Sequence, residues 1–374
     1  MRTRLASAVV GAAAALALTA GCTPPPDPPD SGEPSMTAVA GVVPYAPYKV
    51  LTPTSPSPAL DMSVTVYSTS VAPIDDDSIL FGNYNEIVRY EESTGTVQRI
   101  AGGGTYTDGE GTVAPGSALP GGFGGAAVDT FIAHPQQITA APDGTIYFLS
   151  HNVGTFLVAV TPDGTITKIA GDGTGSSGDG GPAVDAGLDT DLGVSNLTLA
   201  PNGDLYFTHD GRVRRIDMQT ATIDTVLVDP NVDLIDIDAD GTLWSSGTLW
   251  DPDTGTASRY AQKTVGGSTT SISLSGPCTS LLYPMMLTGE LPDGRKVILS
   301  DDGTQECTID LVTGATTSRP VDVAWNQHMI VDHDLERISD VALGPDGRRW
   351  FVAHDGTPDV PLRPIRLFRW IAGS

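Results

Sequence analysis

One plan of short apolar runs and Asp-Gly turns recurs from residue 71 to residue 370, which restricts the chain to an array of hairpins. The clearest unit spans residues 137–171. Residues 138–141 form an apolar run, Pro142-Asp143-Gly144 turns the chain, and residues 145–149 (TIYFL) return. A third run at 155–160, a turn at Pro162-Asp163-Gly164 and a fourth run at 165–170 (TITKIA) complete it. Runs this short, rich in β-branched and aromatic residues and separated by Asp-Gly, specify strands in consecutive hairpins. The plan returns with runs at 197–200, 204–208, 212–216 and 222–228. A further copy has runs at 234–237, 242–245 and 256–260, with an ill-defined strand near Leu249-Trp250. Another has runs at 295–299, 304–311 and 315–318, and the last at 338–343, 348–352 and 364–370. An upstream copy has runs at 71–74, 79–82, 86–90 and 96–101, so the expected count is six. The last copy stops after its third strand, and residues 62–67 (MSVTVY) are expected to supply the missing one. An open solenoid of the same repeats would need no such strand.

Composition favours turns over helices. Of 45 acidic residues only eight are Glu, and only four of the 20 Lys plus Arg are Lys, beside 43 Gly and 29 Pro. Exposed helices favour Glu–Lys pairs, whereas Asp, Gly and Pro belong in turns. A net charge of −25 excludes nucleic acid as a partner, because phosphates demand a basic surface.

The stretch 165–183 (TITKIAGDGTGSSGDGGPA) resembles the signature of NHL-repeat β-propellers. Residues 97–104 (VQRIAGGG) and 212–216 (RVRRI) resemble the same family's pattern. The resemblance is strongest over residues 95–230. It implies an all-β, six-bladed β-propeller of four-stranded antiparallel blades, an N-terminal strand closing the last blade. It also implies a recognition surface on one face, without fixing a function, since the fold hosts binding modules and some enzymes.

Residues 1–22 read as an export signal: Arg2 and Arg4 precede an apolar run at 5–20. Leu18-Thr19-Ala20-Gly21-Cys22 resembles a bacterial lipobox, which implies acylation of Cys22; an ordinary secretory signal is the alternative. Residues 23–58 hold eleven prolines and are expected to form a flexible tether, with the propeller over 59–374. The expected location is the outer leaflet of the cell membrane, with membrane contact through the anchor only and a monomeric domain. Cys278 and Cys307 are then an even pair in an oxidising compartment, expected to form a disulfide, with two free thiols as the alternative.

Several motifs carry weaker chemistry. Gly173-Thr174-Gly175-Ser176-Ser177-Gly178 fits G-x-G-x-x-G, but Asp179-Gly180-Gly181-Pro182 follows where a helix would have to begin. Asp236, Asp238, Asp240 and Gly241 match the start of a calcium loop, yet Gly247 stands where its bidentate Glu belongs. The histidines are more regular. His151, His209 and His354 end the second strand of their units, and Asn83 and Asp301 take that place in two others. Asp210, Asp302 and Asp355 follow at the adjoining turn, and His134 lies on a connection expected on the same face. These residues are the candidate ligand site, at the funnel where propellers bind ligands. No cofactor is expected; Zn on His151, His209 and His354, or Ca on an Asp-rich loop, remains a weak alternative. The expected role is a binding or sensing module for a protein, peptide or small molecule. The alternatives are a metal-assisted lyase or hydrolase with a His-lined site, and a structural envelope protein.

Overall fold

The computed structural model describes residues 35–41, 52–62, 64, 70–103, 123–151, 155–172, 174–189, 193–280, 285–290, 295–300, 305–320, 338–343, 348–354 and 365–371. It is an all-β propeller whose blades are antiparallel meanders of four strands. The first sheet runs outward through Val71–Pro73, Ser78–Asn83, Glu86–Glu91 and Thr96–Gly102. The second comprises Pro135–Ala140, Ile146–His151, Thr155–Val160 and Ile166–Ala170. The third comprises Ser195–Leu199, Leu205–His209, Arg212–Asp217 and Thr222–Val228. The fourth comprises Val232–Ile237, Leu243–Asp251, Thr256–Val265 and Ser268–Ile272. The fifth comprises Met285–Glu290, Lys296–Ser300, Gln305–Ile309 and Thr316–Pro320. The last has Ile338–Leu343, Arg349–His354 and Ile365–Ile371, with Ser35–Ala40 paired antiparallel on its outer side.

Apolar side chains fill the gaps between neighbouring sheets. Phe81, Phe148 and Phe207 hold the same register on the second strand of the first three sheets, and all are fully buried. Leu80, Ile87, Phe148 and Val158 share one cluster between the first and second sheets. Val71 and Phe81 pack with Ala40, Trp350, Val352 and Leu367, joining the first sheet to the last. Both faces of these strands are covered, so the alternation of apolar and polar residues is weak in the middle strands.

A device absent from the sequence-based expectation secures the outer edges. Before entering a blade, the connecting loop swings to that blade's rim and makes a 3-10 turn on a buried alanine. The turns are Ala59–Asp61, Ala127–Asp129 and Ala183–Asp185. The amides of Ala59, Ala127 and Ala183 donate to the carbonyls of Gly95, Gly164 and Ala221 in the outer hairpins of the first three sheets. In the fifth sheet, Ser275 bridges Ala315 and is followed by the turn Pro277–Ser280. The expected disulfide is present there: Cys278 of this turn is bonded to Cys307 on the third strand.

Three expectations differ from the structure. The outer strand of the last sheet is Ser35–Ala40, not residues 62–67. Met62 caps the Ala59–Asp61 turn, Val64 lies in an isolated bridge position, and residues 63 and 65–67 fall outside the described residues. Part of the segment expected as tether is therefore folded. Ala38 and Val39, an apolar pair between prolines, continue into the fully buried Ala40, and Thr52 bonds Glu86. In the fourth sheet, Leu249 and Trp250 belong to the second strand, Thr256–Val265 is the third, and Ser268–Ile272 is the outer one. An elongated hairpin and a turn at Gly266-Gly267 inside a Ser/Thr run obscured the spacing.

Candidate functional site

The loops between second and third strands share one face with the connections between sheets. Asn83, His151, His209 and His354 each end a second strand, and pair across its loop with Glu86, Thr155, Arg212 and Ile365. Asp301, Asp302 and Asp355 lie outside the described residues.

Among the described side chains, Asn83, His134 and His209 each sit in surroundings of their own. Asn83 is buried and its amide donates to Glu86 Oε1 at 2.8 Å. Thr52 donates to the same carboxylate from its backbone N (3.0 Å) and its Oγ1 (2.8 Å). Burial raises the Glu86 pKa despite these bonds. His134 is half-buried and stacks obliquely on Tyr84, ring centroids 5.4 Å apart, and burial lowers its pKa. Both residues adopt positive φ, as residues holding a tight corner do.

His209 is fully enclosed, and neither ring nitrogen makes a well-aligned hydrogen bond. Burial, then the neighbouring Arg214, lowers its pKa to about 4, so the imidazole is neutral at physiological pH. Asp210 turns the corner at φ 51° with its side chain partly exposed. Its carboxylate accepts from Ser176 Oγ at 2.8 Å and from Arg212 Nη1 at 2.5 Å, and these bonds hold its pKa low. Ser176 belongs to the glycine-rich connection, which a residue outside the expected site also secures. Arg214 is fully buried and donates to the carbonyls of Gly187 (2.9 Å) and Ser177 (3.1 Å) and to Asp179 Oδ1 (2.8 Å). Residues 174–178 of the G-x-G-x-x-G stretch are thus part of a loop tied to the third sheet, followed among the described residues by the 3-10 turn Ala183–Asp185 and no α-helix.

A dense polar cluster of described residues lies on this face where the third sheet meets the fourth. The amide of Asp229 donates to the Gly211 carbonyl at 2.9 Å, which brings the His209 corner against the next connection. Asp229 Oδ2 accepts from the Tyr260 hydroxyl and from Gln262 Nε2 at 2.8 Å. Burial and then this bond to Asp229 push the phenol pKa upward. Asp233 receives Arg259 as a two-pronged pair at 3.1 and 3.2 Å and Thr248 Oγ1 at 3.3 Å. Burial nevertheless raises the Asp233 pKa, with Arg259 opposing it. Gly247 is required here, because a Cβ would stand 2.0 Å from the Asn231 carbonyl oxygen and 2.4 Å from the Tyr260 hydroxyl. Asp229 and Asp233 were legible only as loop acids, since their partners lie some thirty residues away in sequence.

The calcium-like spacing does not converge on a cation. Lys296 Nζ, fully buried, sits 2.6 Å from Asp236 and 2.9 Å from Asp238, while Asp240 caps the amide of Thr242. Among the described residues no three His, Cys, Asp or Glu side chains are placed to hold a metal.

The sequence matches no protein-family model and no curated protein. Solved structures share its architecture. A Bacteroides thetaiotaomicron protein of unknown function superposes with a TM-score of 0.53 at 10% identity, over 90% of this chain and 75% of that one. A catalytically inactive virginiamycin B lyase from Staphylococcus aureus, bound to quinupristin, gives 0.47 at 14% identity, over 84% of this chain and 98% of that one. At these identities the likeness concerns the fold alone: the chain is a β-propeller.

Proposed function

We propose that this protein is an exported, lipid-anchored propeller of six NHL-like blades, acting as a binding or sensing module at the cell surface. The inner strands support the blade count, since each touches the next and the last, Ile338–Leu343, touches the first, Val71–Pro73. Ser35–Ala40 then closes the ring. The export signal and lipobox at Cys22, together with the Cys278–Cys307 bridge, support the location.

The ligand site is the junction of the third and fourth sheets on the loop-bearing face. The observation that carries this reading is the meeting there of Asp229, Asp233, Arg259, Tyr260 and Gln262, beside the Asp210–Arg212 pair. Fixed donors and acceptors of both signs suit recognition of a polar ligand. The enclosed, neutral His209 suits a structural corner better than a proton-transfer group, which favours binding over catalysis. Native mass spectrometry and metal analysis on the exported protein test this. An organic ligand that co-purifies and is lost in Asp233→Asn and Tyr260→Phe is the expected result. Stoichiometric zinc lost on replacing His151, His209 and His354 would instead establish the metal-assisted enzyme. Protein without either species would leave the structural envelope role.

A further inference from the structure

The rims of the sheets are not treated alike. In the first, second, third and fifth sheets the preceding loop pairs with the outer strand or its turn, and the last sheet has Ser35–Ala40 outermost. The fourth sheet differs. Only Asp229, Pro230 and Asn231 separate Thr222–Val228 from Val232–Ile237, a reach of about 10 Å, too short to visit the rim. Among the described residues nothing pairs with the outer side of Ser268–Ile272, and Ser268, Thr269, Thr270 and Ser271 are all exposed. The strand continues from a two-residue turn with Val265 opposite Ser268 in an unbroken register. Antiparallel ladders alternate, so Ser268, Thr270 and Ile272 bond inward, while Thr269 and Ser271 direct their N–H and C=O groups away from the sheet. No Lys, Pro or bulge blunts this edge, the usual protections of an open strand.

We propose that this edge is a self-association surface, on which Ser268–Ile272 pairs antiparallel with the same strand of a second copy. A two-fold axis at Thr270 sets Thr269 opposite the second copy's Ser271, and the reverse, so both outward pairs are satisfied together. Charge favours this seam. The chain carries −25, yet no residue from Thr264 to Gly289 is charged, so the strands meet without like-charge contact. The facing hydroxyls form cross-strand Ser/Thr pairs, as Thr264 and Thr269 already do within one copy at 2.9 Å. One strand pair buries less than the roughly 1,200 Å² of a stable interface, so the dimer is weak and reversible. It replaces the monomer expected from the sequence and is independent of the ligand site.

The test is sedimentation equilibrium across a concentration series at low and high salt, using the chain with Cys22→Ser so that no acyl group associates. Dimer formation that strengthens with salt is expected, because salt screens the repulsion between the two bodies. Ser271→Pro removes one outward N–H and leaves the inward ladder intact, and should weaken association by about tenfold or more at an unchanged thermal midpoint. Should that variant lose stability, Thr270→Cys reads the same geometry, since oxidation should link two copies through residue 270. A monomer at every concentration and salt, association unaffected by Ser271→Pro with its fold intact, or no 270–270 cross-link would overturn the proposal. So would an edge that binds only an extended peptide of another protein.

Discussion

Lys296 shows how much one side chain carries. Its ammonium is enclosed between two carboxylates of the neighbouring sheet, so removing it strands Asp236 and Asp238 beside an apolar junction. Lys296→Met should cost about 3–5 kcal/mol in chemical unfolding, and adding Asp236→Asn should recover part of it. His209 makes a pH prediction. Its folded pKa lies below the ordinary imidazole value, so the folded state binds fewer protons than the unfolded chain. Its contribution is complete above about pH 6.5 and declines as pH falls toward about 4. Glu86 and Asp233, raised by burial, change in the opposite sense, so the diagnostic is the difference between His209→Gln and the parent. That difference should narrow steadily between pH 7 and pH 5 in urea titrations; a constant offset would contradict the assignment. At this scale the sequence was least legible. His209, His151 and His354 were recognisable as the ends of second strands, but Arg214 and Glu86 looked like any exposed strand or loop charge. Their burial depends on a loop that folds over them.

At the scale of elements, the meander was plain wherever a Pro-Asp-Gly or Asp-Gly turn interrupted β-branched runs. Thr155–Val160, Thr222–Val228 and Ile338–Leu343 coincide with the expected strands. The rim turns were invisible because a small buried alanine and a two-residue bridge carry no periodicity. The fourth sheet misled for a related reason: its outer strand, Ser268–Ile272, is almost wholly hydroxylated. Two predictions belong here. Replacing both Cys278 and Cys307 by Ser should lower stability by about 3–4 kcal/mol, since the bridge closes a separation of 29 residues. Calorimetry under oxidising and reducing conditions checks this, because the parent should approach the variant when reduced. Arg214→Ala should free the glycine-rich connection from the third sheet, so limited proteolysis should cut within residues 172–189 faster than in the parent. Protection equal to the parent's would mean that the rim turn at Ala183–Asp185 suffices alone.

For the whole molecule, the repeat made a propeller of antiparallel four-stranded blades legible, including the shortage of one strand in the last copy. Which segment supplies it was not, because 35–40 sits among prolines and lacks the alternating pattern of 62–67. Ala40 is fully buried in the cluster that unites the first and last sheets. Ala40→Asp should therefore lower the thermal midpoint through one cooperative transition, followed by circular dichroism, and not merely fray a terminus. The rim turns have a further consequence for the order of assembly. Each precedes in sequence the blade it seals, so a chain emerging from its N-terminus always has the seal in hand before the edge that needs it. Ser35–Ala40 is the reverse: made first, it waits without its partner until Ile365–Ile371 is complete. Vectorial synthesis can thus mature the intermediate blades one after another, while the sheet that holds Ser35–Ala40 is completed only once Ile365–Ile371 has been made.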